Sequence, residues 1–357
     1  MTIRNPIMNP QKRLDQKLAA MHADPHGCKE FIIADAKDAD MAFGITAPGP
    51  HRGACRHGFN ESEGCYKTLA DYREQIREVI AQDLVDIVLL SASNLEILGM
   101  QERLFANSAI TPAARANDTT DVWVVRGGKY PTDYPSRSFR SATLDHIKYG
   151  HITTDHHKPV QGADLGLYSI TFTNNLDWDH QALMAYHDFR IEAEKKGFRH
   201  FLELFNPNVD PGIPDKKVAA FLNDHIVRTL AGVTQAGRPV FLKIPYNGPG
   251  PLEELVSYDP QLIVGILGGS SGTTLDAFQL IHDAKKYGAR VALFGRKINL
   301  SEHPLAFIEL LRRIVDGDVG PVEAVKAYHG VLQTLGIQPL RPLQQDLQLT
   351  KTKQSYK

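Results

Sequence analysis

An α/β chain closing into an eight-stranded parallel barrel is what this sequence predicts, on three observations. Apolar runs of strand length alternate with helical patterns along most of the chain. Most of those runs are too continuously apolar to have one wet face, as expected of parallel strands covered by helices. No G-x-G-x-x-G follows the first run, which removes the main support for a dinucleotide-binding doubly wound sheet.

The eight runs are EFIIADA (30–36), VDIVLLSAS (85–93), DVWVVRGG (121–128), LGLYSITFT (165–173), HFLELF (200–205), PVFLKIP (239–245), QLIVGILGG (261–269) and ARVALFG (289–295). Helical spacing of apolar residues marks 66–84, 178–197, 215–237 and 273–288, with Gly197, Gly237 and Gly288 as helix stops. Residues 1–29 read as an N-terminal extension or helix, 30–337 as one barrel domain with extended βα loops, and 338–357 as a tail. That tail, QPLRPLQQDLQLTKTKQSYK, lacks a sustained apolar face and reads as a loose arm or an extension packing on a neighbouring subunit. The polar segments 44–66 and 129–164 exceed ordinary βα connections and read as mouth loops or small insertions.

With 357 residues, 42% of them hydrophobic, the chain can bury a large core. Forty basic and forty-one acidic residues leave a formal charge of -1, so no global field recruits nucleic acid or an anionic membrane, and a small-molecule partner is expected. The N-terminus lacks a signal-peptide core, and no window approaches the roughly 18 apolar residues of a membrane span. A cytoplasmic protein is expected. Cys28, Cys55 and Cys65 are too few for a disulfide scaffold and read as reduced thiols. His51, Cys55, His57 and Cys65 lie close in sequence but match no paired zinc-ligand spacing, so a polar loop is preferred to a metal site. His146, His151, His156 and His157 read as a loop lining a site.

Lys243, in RPVFLKIPYNG, interrupts an otherwise buried strand. Alternate strand residues face opposite sides, so Leu242 and Ile244 suit the helix-facing layer and Lys243 points into the barrel. Pro245 ends the strand near the C-terminal mouth, where barrels of this kind build their sites. An inward lysine there must meet a carboxylate, lose its proton or form a covalent adduct. Parity places Glu203 inward on the preceding strand, and adjacent strands about 4.8 Å apart let the two approach. Parity on the first strand aligns Phe31, Ile33, Asp35 and Lys37, which predicts that Asp35 and Lys37 emerge at the mouth. After the last two strands, GILGGSSGTT and FGRKIN offer Gly268, Gly269, Ser270, Gly295 and Arg296 as a phosphate grip, at the seventh and eighth βα-loops.

The ordered set FIIADAKD, FLELF, VFLKIP, GILGGSSG and ALFGRKI resembles the class I, Schiff-base-forming aldolases related to tagatose-bisphosphate, archaeal-type fructose-bisphosphate and deoxyribose-phosphate aldolases. The resemblance covers about residues 30–315 and is strongest over the last third. It implies Asp35 as the first-strand aspartate, Glu203 as the fifth-strand glutamate, Lys243 as the Schiff-base lysine, and Gly268, Gly269 and Arg296 in the phosphate loops. The strand-four lysine of the tagatose-bisphosphate branch has no counterpart in LGLYSITFTNN; Lys37 or a loop residue is expected to replace it.

The resemblance implies a lyase acting on a sugar phosphate or related keto-sugar, with no metal or organic cofactor, in a homo-oligomer. Glu203 would relay protons and Asp35 would orient or deprotonate a substrate hydroxyl. Two other readings stand beside it: an isomerase or epimerase using Glu203 and Lys243 as acid and base, and a barrel that binds a phosphorylated metabolite without turning it over.

Overall fold

A computed structural model describes residues 11–51, 65–269 and 272–350. Eight parallel strands form a closed ring: β1 (Ile32–Lys37), β2 (Ile87–Leu90), β3 (Thr111–Arg115), β4 (Leu165–Thr171), β5 (Arg199–Phe205), β6 (Leu242–Ile244), β7 (Val264–Leu267) and β8 (Val291–Phe294). Neighbours around the ring follow chain order, and β8 pairs with β1. This is the (β/α)8 barrel that the alternating apolar runs predict.

Two apolar layers explain why the strands carry so few polar residues. Ile32, Ala34, Leu89, Leu167, Phe201, Phe241 and Leu293 fill the barrel interior, whereas Ile33, Val88, Tyr168, Leu202, Leu242 and Phe294 face the helices. Buried on both faces, each strand reads as continuously apolar. The helix Arg13–Ala23 closes the N-terminal end, inserting Leu14, Leu18 and Met21 into the interior layer. Beneath it, the fully buried Asp86 carboxylate is met by Arg13 at 2.9 Å, Lys17 at 2.9 Å and Arg312 at 2.8 Å. Burying that charge requires such pairing.

The outer helices begin on legible signals. Thr68 and Asp71 form a capping box on the helix Leu69–Gln82, as do Thr273 and Asp276 on the helix Thr274–Lys286. Asn175 caps the helix Leu176–Lys195.

Three expectations change. The third strand is TPAAR, not DVWVVRGG: residues 120–122 form a single 3-10 turn at the mouth, and Trp123 stacks on Tyr130 with ring centroids 4.6 Å apart. Two alanines and a proline carry little β signal, while Trp123 and its valine neighbours mimic a strand but cover a loop. The C-terminal arm is not loose, since its segment up to Thr350 docks on the chain's own barrel. The Thr274 N–H donates to Asp346 Oδ1 at 2.7 Å, the Thr273 hydroxyl to the Gln348 carbonyl at 2.7 Å, and the Thr350 N–H to Asp276 Oδ1 at 2.8 Å. Finally, Cys65 is disulfide-bonded, in place of the expected thiol, whereas Cys28 is free. No helix among the described residues is long and apolar enough to cross a membrane.

Candidate active site

The register of three neighbouring strands builds the centre of the site. Ser169 of β4 pairs with Glu203 of β5, and Glu203 with Lys243 of β6. All three belong to the inward-facing set, because Leu167, Phe201 and Phe241 two residues earlier fill the interior. The Lys243 ammonium forms a close ion pair with Glu203 Oε1, and the Ser169 hydroxyl donates to Glu203 Oε2 at 2.7 Å. Asn117 clamps the Ser169 backbone, its Oδ1 accepting from Ser169 N at 2.6 Å and its Nδ2 donating to Ser169 O at 2.9 Å. Glu203 is fully buried, while Lys243 keeps 8% of its side chain exposed, enough to line a mouth cavity of about 320 Å³. An amine on a fixed carboxylate at the edge of an enclosed space is positioned for proton exchange with a bound molecule.

The predicted loop residues sit on the β7 and β8 side of the same cavity: Gly268, Gly269, Gly295 and Arg296 line it. A Cβ on Gly268 would lie 2.3 Å from the Phe294 ring, and Gly269 has φ +62°, so this turn requires glycine at both positions. Ser270 lies outside the described residues. Arg296 stacks over Phe43, 5.4 Å from the ring centroid. Next to it, Lys297 Nζ donates to the Gly272 carbonyl at 2.9 Å, and burial pulls its ammonium down to about 8 against the opposing pull of Asp346.

Asp35 and Lys37 do not reach the cavity, and this corrects the first-strand parity. Asp35 pairs in register with Val88 and Phe294, both in the helix-facing layer. Its carboxylate lies 3.0 Å from Lys37 Nζ, an ion pair lacking hydrogen-bond alignment, with both side chains fully buried. Lys37 also donates to Asn299, whose amide donates to the Tyr72 hydroxyl at 3.4 Å. Burial pushes the Asp35 carboxyl up, against the pull of Lys37. The pair therefore ties β1 to its outer helices.

Asp38, one residue past the strand, turns inward instead and lines the cavity. Its Oδ2 accepts from Arg115 Nε at 2.6 Å. Arg115 ends β3, so missing that strand hid the arginine. Asp121 also lines the cavity, accepting from Ser136 at 2.8 Å and Thr171 at 2.7 Å. The signal available for Asp38 was the row Ile32, Ala34, Ala36: small residues towards the mouth leave the open space that a site needs.

The histidine group is not a site-lining loop. His146 lies on the helix Leu144–Tyr149, His156 packs near Tyr149, and none of His146, His151, His156 and His157 lines the cavity. Of the Cys/His run, Cys55 and His57 lie outside the described residues.

No family model and no curated protein sequence matches the chain. Solved structures do match. An archaeal fructose 1,6-bisphosphate aldolase superposes with a TM-score of 0.57 at 13% identity, covering 84% of this chain and 99% of that one. The fold resembles a Schiff-base aldolase. A second archaeal fructose-1,6-bisphosphate aldolase structure, with its catalytic lysine bound to the carbinolamine intermediate of its substrate, gives 0.57 at 12% identity over 84% of this chain and 99% of that one. A Corynebacterium glutamicum structural-genomics target gives 0.50 at 19% identity, covering 88% of this chain and all 100% of that one. At these identities the likeness establishes the barrel and leaves the chemistry to the side chains.

Proposed function

We propose that this protein is a class I aldolase that cleaves or forms a carbon–carbon bond of a phosphorylated or otherwise anionic keto-sugar through a Schiff base on Lys243. The carrying observation is the lysine itself. It stands inward on β6, in register with a buried glutamate on β5, at the wall of a cavity whose other side is glycine loops and an arginine. The aldolase neighbours raise the standing of this reading through fold alone.

The steps follow from the pairing. Glu203 takes the Lys243 proton, and the neutral amine attacks the substrate carbonyl carbon; the new N–C bond takes the place of the carbonyl π bond, and a proton passes from the nitrogen to the oxygen to give a neutral carbinolamine. Glu203, oriented by Ser169, returns a proton to that hydroxyl, and water leaves to form the iminium. The cationic nitrogen then accepts the electron pair of the breaking carbon–carbon bond, while a base removes the proton of the hydroxyl that becomes the leaving aldehyde. Asp38 replaces Asp35 in that role, because it is the carboxylate at the end of the first strand that lines the cavity. Protonation of the resulting enamine and hydrolysis free Lys243. Gly268, Gly269, Gly295 and Arg296 would hold the anionic group through backbone N–H groups and the guanidinium.

Borohydride trapping with a panel of ketose phosphates, read by intact mass and peptide mapping, tests the reading. A reduced adduct on Lys243, absent from Lys243→Ala, is expected. Turnover that survives in Lys243→Ala would sink the Schiff-base reading, whereas isomerisation with no trapped adduct, lost in Lys243→Ala, would favour Glu203 and Lys243 as an acid–base pair. Binding without adduct or product would point to a non-catalytic barrel.

A further inference from the structure

Arg115 is a buried cation with donors to spare. Its side chain is 7% exposed and lines the space, yet among the described residues only its Nε is hydrogen-bonded, to Asp38. Nη1 is buried without a hydrogen-bond partner, and Asp118 Oδ1 lies 3.9 Å from it. Buried donors are normally paired, so a guanidinium that lines a cavity with donors left unpaired marks the place of a missing acceptor. Burial acts against the arginine's charge, but Asp38, Glu203 and Asp118 more than offset it, so the group stays protonated.

Those same carboxylates decide what the acceptor is. Asp38 already neutralises Arg115, and Asp121 adds a further carboxyl to the wall, fixed by Ser136 and Thr171. Bringing a second anionic group here would set it against Asp38 and Asp121 on the cavity wall, and like charges this close repel; burial already pushes the Asp121 carboxyl up, and another anion would push it further. Neutral hydroxyls meet no such penalty: they accept from Arg115 and donate to the carboxylates. In the strand ring, β3 lies across from β7, so this corner faces the glycine loops rather than adjoining them.

We propose that Arg115 and Asp121 form a second subsite that binds a neutral, polyhydroxylated end of the substrate and rejects a second anionic group. On the aldolase reading above, on which this rests, the substrate is a keto-sugar with its single anion held at the β7–β8 loops.

Binding of carbonyl-free probes separates this inference from the Schiff-base chemistry. Calorimetry on the full chain would compare a hexitol monophosphate, the corresponding hexitol bisphosphate and hexyl phosphate. The hexitol monophosphate is expected to bind at least tenfold more tightly than either of the others. Asp121→Asn, nearly isosteric, should narrow the monophosphate-over-bisphosphate preference by about tenfold, and Arg115→Met should bring the hexitol monophosphate down to the affinity of hexyl phosphate. Circular dichroism and melting of both variants exclude unfolding as the cause. Tighter binding of the bisphosphate, equal binding of hexyl phosphate, or no binding of the monophosphate would overturn the proposal. Borohydride trapping on Lys243 could still succeed in each case.

Discussion

One residue of parity separates a structural ion pair on β1 from a cavity-lining carboxylate just past its end. Asp35 and Lys37 face the helices and hold each other and Asn299, while Asp38 faces the cavity and holds Arg115. Different effects on turnover are therefore expected from two substitutions of one chemical kind. Asp38→Asn should reduce turnover of a substrate that traps on Lys243 by roughly 100-fold, the usual scale of a lost general base, and it should also lower the melting temperature, because the buried Arg115 loses its hydrogen-bonded carboxylate. Asp35→Asn leaves Lys37 charged, buried and without its carboxylate, so it should cost about 3 kcal/mol of stability while largely sparing the KM of the folded fraction. Urea denaturation beside steady-state kinetics reads both. If Asp35→Asn proved the catalytic lesion, the placement of β1 would be wrong.

At the scale of the element, the loop after β7 is held from two directions. Asp346 and Gln348 of the C-terminal arm grip Thr274 and Thr273 at the start of its helix, and Lys297, after β8, grips Gly272. The lysine does so at an electrostatic cost. Its ammonium titrates at about 8 in the folded chain, against 10.5 as its ordinary value, because burial disfavours the charge. Between those two pH values the unfolded chain holds the proton more often than the folded one, so stability from this group rises with pH. Stability of the wild-type chain relative to Lys297→Met should therefore increase by about 3 kcal/mol from pH 8 to pH 10.5, measured by urea unfolding at intervals. A flat difference across that window would show that Lys297 is not desolvated.

For the whole molecule, polar chemistry is divided between the two ends of the barrel. The N-terminal end spends its buried charge on structure: Asp86 joins the first helix, β2 and the helix Pro304–Asp316 through Arg13, Lys17 and Arg312. Removing that carboxylate leaves Lys17 and Arg312 with no carboxylate nearer than 3.9 Å among the described residues, while Arg13 keeps Asp83, so Asp86→Ala should destabilise the fold by about 3–5 kcal/mol, seen as a lower urea midpoint. Trapping at Lys243 in the folded protein should persist, since the interior apolar layer separates the two ends. At the C-terminal end, buried charges from β1, β3, β5 and β6 converge on a cavity instead, which is where a parallel barrel's loops leave room for a ligand.

The sequence by itself determined the barrel and its central pair. Continuous apolar runs could be buried only between two layers, and a period of two left Lys243 and Glu203 no direction but inward. Gly268, Gly269, Gly295 and Arg296 were legible for the same reason, since position after the last two strands assigns them to the mouth. The tertiary structure decided what depends on register and space. Choosing between Asp35 and Asp38 needed the pairing of β1 with β2 and β8, because both faces of this strand run from apolar residues to a carboxylate, Ile33 to Asp35 and Ile32 to Asp38, so its own alternation does not say which is inner. Arg115 stayed hidden because TPAAR carries weak strand propensity, while the stronger signal of DVWVV belonged to a loop that packs on its own aromatics. The docking of Asp346 on Thr274, 72 residues apart, was beyond any local pattern, since the cap comes from a segment with no periodicity of its own.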